Sequence, residues 1–134
     1  IFMFQKEMAD RILAQVNTKN YGRLSILSNW KFNIKKVFDI KSNSFSPKPK
    51  VDSSLLIFSK KERYFKFKNP KNLEKITSIF FNQRRKKIKK PFNQLLGNNV
   101  KIIKKLNLNI DLRPQNLEPE TYFALTNEYE NLIK

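Results

Sequence analysis

The chain has 134 residues, and its pattern predicts an α/β layer followed by a small all-helical unit. Three observations carry this expectation. Two segments with a helical apolar period are followed by two with a period of two, the pattern of helices packed on a sheet. Beyond residue 59 every apolar repeat returns to helical spacing. Between the two regimes lies a charged stretch that ends in Asn69-Pro70, a helix-start pair. The expected organisation is therefore a first unit over residues 1–59, a linker over 60–70 and a helical domain over 71–134.

Taken in order, Ile1–Phe4 is a short apolar run that fits a buried strand. Gln5–Val16 follows as an amphipathic helix, with Met8, Ile12, Leu13 and Val16 on one face and Lys6, Glu7, Asp10 and Arg11 on the other. Asn17–Asn20 is a polar turn. A second helix is expected from Tyr21 to Lys31, burying Leu24, Leu27 and Trp30. Ile34–Ile40 alternates through Ile34, Val37 or Phe38, and Ile40; Val51–Ser59 alternates through Val51, Leu55 and Ile57. Both read as strands. In the second unit, Leu73, Ile76, Ile79 and Phe80 give a helix its apolar face. Ile88, Phe92, Leu95 and Leu96 keep helical spacing through a basic run, where Pro91 must kink or restart the helix. Gly97 terminates it. Shorter and longer helices are expected near Val100–Leu106 and Pro119–Ile133.

Charge narrows the function classes. The chain carries 28 Lys+Arg against 11 Asp+Glu, a net +17, with a pI near 10.2. The excess is localised: residues 1–58 hold ten basic and four acidic side chains, residues 59–105 sixteen and two, residues 106–134 two and five. A uniform compositional bias would not concentrate charge in one third of the chain. Polyanions are the natural partners, nucleic acid first among them. With no Cys and no His, disulfide scaffolds, thiol catalysis, triad hydrolases and His- or Cys-based metal sites are excluded. Glu7, Asp10, Asp39 and Asp52 have no metal-ligand spacing either, so no metal is expected. No apolar run approaches the ~20 residues of a membrane span. A cytoplasmic protein without a membrane partner is the expectation.

Three motifs stand out. In Phe45-Ser46-Pro47-Lys48-Pro49-Lys50-Val51-Asp52-Ser53 the prolines fix φ and remove donors, which stiffens the loop. A stiff loop is a good mount for a ring that stacks on a base, worth about 1–3 kcal/mol; the alternative is that Phe45 plugs the end of the core. In Asn82-Gln83-Arg84-Arg85-Lys86-Lys87-Ile88-Lys89-Lys90, six of the seven residues from Arg84 to Lys90 are basic. On a helix they would form a cationic rod able to neutralise several phosphates, with Arg84 and Arg85 adding planar forks. In Tyr21-Gly22-Arg23-Leu24-Ser25 a glycine separates an aromatic from an arginine at a helix start. Glycines are otherwise scarce, only Gly22 and Gly97, so no phosphate-cradling loop is present.

These motifs, in this order, resemble the ribosomal RNA adenine dimethyltransferase family, in its small-subunit branch rather than among the macrolide-resistance methylases. The resemblance rests on Phe4-Gln5-Lys6-Glu7 with Ala9-Asp10-Arg11, on Tyr21-Gly22-Arg23-Leu24-Ser25, on Phe45-x-Pro47-x-Pro49-Lys50-Val51-Asp52-Ser53, and on Phe81-Asn82-Gln83-Arg84-Arg85-Lys86. One departure is Lys89-Lys90-Pro91-Phe92, where the family continues R-N-S-L. The resemblance implies the C-terminal part of a Rossmann-like methyltransferase sheet, about three strands and two helices, followed by a helical rRNA-binding domain. It further implies S-adenosylmethionine-dependent dimethylation of the amino groups of two adjacent adenines near the 3′ end of small-subunit rRNA. The cofactor would be bound by a missing N-terminal half, which would also supply the catalytic residues, leaving this fragment alone inactive. By the same resemblance Phe45 stacks on the target base in a substrate loop with Pro47, Pro49 and Lys50. Tyr21, Arg23, Asn82, Gln83, Arg84, Arg85, Lys86, Lys87, Lys89 and Lys90 contact RNA, and the partner is an immature 30S-type ribosomal subunit met by a monomer. The competing reading is a non-enzymatic basic rRNA-binding or ribosome-assembly protein.

Overall fold

In the computed structural model, which describes residues 1–133, Lys134 lying outside them, three strands form one sheet in the order β1-β3-β2. Strand β1 (Phe2–Gln5) and strand β2 (Phe32–Ile40) both run antiparallel to the central β3 (Ser53–Lys60). Helix α1 (Lys6–Leu13) leaves β1 without a loop, and α2 (Arg23–Ser28) precedes β2. The first unit therefore has the three strands and two helices expected.

The register sorts the sheet residues between two faces, because paired residues of antiparallel strands point the same way. One face carries Phe2, Phe4, Ile34, Leu56 and Phe58. With Ala9, Ile12 and Leu13 of α1 most of these build a small core around buried Leu56, and Phe2, Phe4 and Phe32 set their rings within 6.0 Å of Phe58. The other face carries Met3, Leu55, Ile57 and Phe38, and there Met3 and Phe38 are each more than half exposed. No helix among the described residues covers that face, and β1 offers an unpaired edge. Strand β2 is interrupted at Val37, where the register skips between Lys36 and Phe38. This bulge explains the broken alternation of the sequence: one extra residue moves the apolar set to the opposite face.

The larger core lies among the helices. It joins Tyr21 and Ile26 to Leu73, Ile76 and Phe80 of α3 (Lys71–Phe81), to Phe92 and Leu96 of α4 (Lys89–Leu96), to Ile102 of α5 (Val100–Lys105), and to Tyr122, Phe123, Leu125 and Tyr129 of α6 (Pro119–Ile133). Helix α2 thus packs with the helical region and lies across the stretch 60–70 from it. Helix α3 begins as its sequence suggests, with Asn69 Oδ1 accepting from the Lys71 N–H at 3.0 Å. Glu130, 3% exposed, reinforces that start from α6: its carboxylate accepts from the Lys68 N–H (2.9 Å), the Asn69 N–H (3.0 Å) and the Asn72 amide (2.8 Å). Burial pushes the Glu130 carboxyl up, but these three donors outweigh it and hold it below its ordinary range. Gly97, at φ +66, ends α4 as expected.

Four sequence expectations need correction. Most of the basic run is not helical: residues 82–88 connect α3 to α4, and only Lys89 and Lys90 enter a helix. Like charges three and four apart repel on a helix and the run holds no carboxylate of its own to relieve them, while Pro91 is accommodated in the first turn of α4, where its missing N–H costs nothing. Helix α2 stops at Ser28 instead of Lys31, where the Asn29 side-chain amide donates to the Ser25 carbonyl at 2.9 Å. Met8 is exposed and Ala9 takes its place in the core. Leu24 is 36% exposed, because the face of α2 that packs inward presents Ile26.

Candidate nucleic-acid interface

The Tyr21–Ser25 motif builds one corner of the site. Ser25 is fully buried and ties the start of α2 to the end of α1: its hydroxyl accepts from the Gly22 N–H (3.2 Å) and donates to the Arg11 carbonyl (2.6 Å). Tyr21 is 1% exposed and donates its hydroxyl to the Leu117 carbonyl at 2.6 Å. Burial raises its pKa far above the ordinary phenol value, with Glu118 and Glu120 adding to the shift. The expectation that Tyr21 contacts RNA is therefore corrected: its ring is a core element that fixes where Gly22 and Arg23 lie.

Arg23 is exposed, with Nη2 3.3 Å from the Glu74 carbonyl. Across from it stands Arg84, the one cation of the basic turn that points back toward the first unit. Its Nη2 donates to the Lys19 carbonyl at 2.9 Å and its guanidinium lies 5.9 Å from the Phe81 ring centre. A Cβ added to Gly22 would sit 3.5 Å from Arg84 Nη1, so the glycine leaves room directly beside the guanidinium. Together these residues line a cleft of about 500 Å³ with Arg11, Lys19, Asn20 and Phe81. Arg11 is paired with Glu7 at 2.9 Å; among the described residues no carboxylate pairs with Lys19, Arg23 or Arg84. Three cations without a carboxylate partner, two of them planar guanidinium forks, suit a phosphate.

The remaining cations of the basic turn face a second surface. Ile88, fully buried and with its N–H on the Leu112 carbonyl at 2.8 Å, anchors the turn from inside. Arg85, Lys86, Lys87, Lys89 and Lys90 are all exposed around it. With Asn93 and Arg113 they line an open cleft of about 750 Å³ whose one carboxylate, Asp111, pairs with Lys87 at 3.5 Å. Asn82 and Gln83 border a smaller hollow of about 210 Å³ beside Lys86, Lys87 and Lys90. A turn fans these charges over a broader surface than a helical rod would, suiting a bent or irregular polyanion.

The proline loop is closed by Asp52. Its carboxylate accepts from the Ser42 N–H at 2.9 Å, and its carbonyl accepts from the Lys6 N–H at 2.9 Å, so the loop is tied to the first residue of α1. Phe45 is half-buried and belongs to neither core cluster. Lys50 is exposed and shares a cleft of about 500 Å³ with Gln5, Lys6, Glu7 and Asp10. Hydrogen bonding to Asp10 raises the Lys6 pKa. Nearby, Asp39 accepts from Ser54 Oγ (2.6 Å) and from Lys36 (3.2 Å), which lowers its carboxyl pKa in that order of importance.

The loop and the Arg23–Arg84 cleft do not share a wall. They are joined by α1, whose Glu7 borders one and whose Arg11 borders the other, the two side chains being paired. Lys19 and Arg113 are not legible as site residues, since each is an isolated basic residue with no motif around it, and Arg11, although in the Ala9-Asp10-Arg11 motif, reads only as the polar face of a helix.

Comparison with known proteins bears directly on this arrangement. The chain is 62% identical over 132 residues to the ribosomal RNA small subunit methyltransferase A of Pelagibacter ubique, covering 98% of this chain and 50% of that protein. It is 44% identical to the protein of the same name from Ehrlichia ruminantium, covering 93% and 48%. The chain thus spans about half the length of these curated relatives. Among solved structures, a dimethyladenosine transferase from Plasmodium falciparum superposes with a TM-score of 0.81 at 28% identity, over 96% of this chain and 56% of the other. The 23S rRNA methyltransferase ErmE superposes at 0.60 with 18% identity, a likeness of fold. The model of the ribosomal RNA adenine dimethylase family matches residues 1–131, and the chain belongs to that family.

Proposed function

We propose that this chain is the substrate-gripping part of an S-adenosylmethionine-dependent enzyme that dimethylates the amino groups of two adjacent adenines near the 3′ end of small-subunit rRNA. The observation that carries the reading is the cationic cleft in which Arg23 and Arg84, from motifs 61 residues apart in the chain, meet beside Gly22. In this reading residues 1–59 complete the C-terminal side of a Rossmann-like sheet, 60–70 link, and 71–134 bind rRNA, with α2 packed onto the helices. The uncovered apolar face of Met3, Phe38 and Ile57 and the unpaired edge of β1 support a further protein layer there, because such surfaces favour burial. The cofactor supplies an electrophilic methyl group when bound, and its site and the catalytic residues belong to that further part.

The residues of this chain would do the rest. An adenine amino nitrogen has its lone pair conjugated into the ring, so the base must leave its stack and be held rigidly. Phe45, outside both cores and on a loop tied down by Asp52, offers the ring for that. Lys50 and Arg23 neutralise phosphates flanking the target. The fan of Arg85, Lys86, Lys87, Lys89 and Lys90 holds more distant rRNA, with Asn82 and Gln83 offering amides beside it. The protein acts as a monomer in the cytoplasm on an immature small subunit. Calorimetry tests the division of labour: the 134-residue chain binds rRNA and no S-adenosylmethionine, and a longer form carrying the preceding half binds both. Micromolar cofactor binding by the chain alone would overturn it.

A further inference from the structure

One surface is left unused by this reading. Trp30, Tyr64, Phe65 and Phe123 line a groove of about 460 Å³ with Lys61, Arg63 and Glu120, and it shares no lining residue with the cationic clefts. Its rings are held in place by one another: Trp30 lies 5.0 Å from Phe67 and 6.3 Å from Tyr64 at 88°, Phe65 stacks 6.2 Å from Phe67, and Phe123 lies 6.1 Å from Phe65. The Trp30 indole N–H donates to the Phe65 carbonyl at 2.6 Å, fastening the stretch 60–70 to the end of α2. Cations surround the rings: Lys31 sits 4.5 Å over Trp30, Lys60 5.9 Å from Tyr64 and Lys61 6.0 Å from Phe123. Phe65 nevertheless keeps 38% of its surface exposed.

We infer that this groove stacks an unpaired nucleobase of the rRNA, a second anchoring point separate from both the target-base loop and the phosphate clefts. Rings already fixed lose little entropy on engaging a base, and lysines and an arginine around them meet the phosphates on either side, the combination that binds single strands. A purely apolar partner would leave those cations desolvated. The inference rests on the rRNA-binding reading above, and the following test separates the two.

Trp30 is the only tryptophan of the chain, so its emission reports the groove directly. The full chain is titrated with 5′-labelled octaadenylate and, separately, with a blunt RNA duplex, following Trp30 emission and label anisotropy together. Octaadenylate is expected to quench Trp30 and the duplex to leave it unchanged. Phe65→Ala and Tyr64→Ala should each weaken octaadenylate binding about tenfold, the low end of one base stack, with duplex affinity unaltered. Phe65→Leu, which keeps an apolar side chain, should behave like Phe65→Ala, and Phe65→Tyr should restore binding. If anisotropy rises while Trp30 emission stays constant, RNA binds elsewhere and the groove assignment fails alone. Equal quenching by the duplex also overturns stacking, as would quenching by a proline-rich peptide and not by RNA. No anisotropy change with either RNA overturns the groove and the rRNA reading together.

Discussion

Replacing Glu130 probes how the helical region is locked, and its consequence can be worked through from the geometry. The carboxylate is buried at the start of α3 and satisfies three donors: the N–H groups of Lys68 and Asn69 and the Asn72 amide. Hydrogen bonds to a charged group contribute about 1.5–3 kcal/mol each when buried, and a stranded donor costs about 1–3 kcal/mol. Lys68 and Asn69 are themselves exposed, so water recovers part of the loss; Glu130→Ala should destabilise by about 2–4 kcal/mol. Glu130→Gln keeps one acceptor and loses the charge at a helix N-terminus, for about 1–2 kcal/mol. The pH dependence has a definite sign. The folded carboxyl titrates below its unfolded value, so its contribution is complete above the ordinary carboxylate range and drains away as pH falls through the folded pKa. Urea unfolding of both variants at about pH 7, and again in acid below the carboxylate range, reads this out. The gap between the parent and Glu130→Gln should close on acidification. A gap that is absent at neutral pH, or equally wide in acid, would refute the hydrogen-bond account.

Other expectations concern the RNA surface. Phe45→Ala in the longer enzyme should slow single-turnover methylation about tenfold or more while rRNA affinity hardly moves; lost affinity at an intact rate would argue against stacking. Reversing Arg84 and Arg85 to Glu should flatten the slope of log affinity against log salt by about 1.4 or more, two single-strand phosphate contacts at ~0.7 each, and an unchanged slope would make the turn a bystander. Gly22 sits at φ −172, ordinary extended backbone, at the N-cap of α2, so Gly22→Leu should cost about 1 kcal/mol of stability while its side chain fills the cleft beside Arg84 and weakens RNA binding. Unaltered affinity by filter binding would remove that cleft from the interface.

Much of the fold was legible because apolar spacing decided it. The final helix, the stop at Gly97 and the Asn69 cap each follow from a local rule that packing did not override. Where tertiary structure intervened, the reading failed for identifiable reasons. The bulge at Val37 breaks the period on which a strand face is read. Helical spacing of Ile88 and Phe92 is real, but it belongs to α4 and its anchoring residue, and the like charges before them disfavour extending that helix backwards. Tyr21 stands in a motif, and a motif position does not say whether a side chain faces solvent or core. In the sequence Arg84 is one member of a basic run; that it turns back toward Lys19 and Gly22 depends on a contact 65 residues apart.

Arg23 and Arg84 are proposed to form a phosphate-gripping cleft that serves methyl transfer. Its most direct test is steady-state methylation of undermethylated small subunits by the longer enzyme carrying Arg23→Glu and Arg84→Glu. KM for the subunit should rise at least about tenfold while the affinity for S-adenosylmethionine stays that of the parent. A parental KM for the subunit in the folded double variant would contradict it.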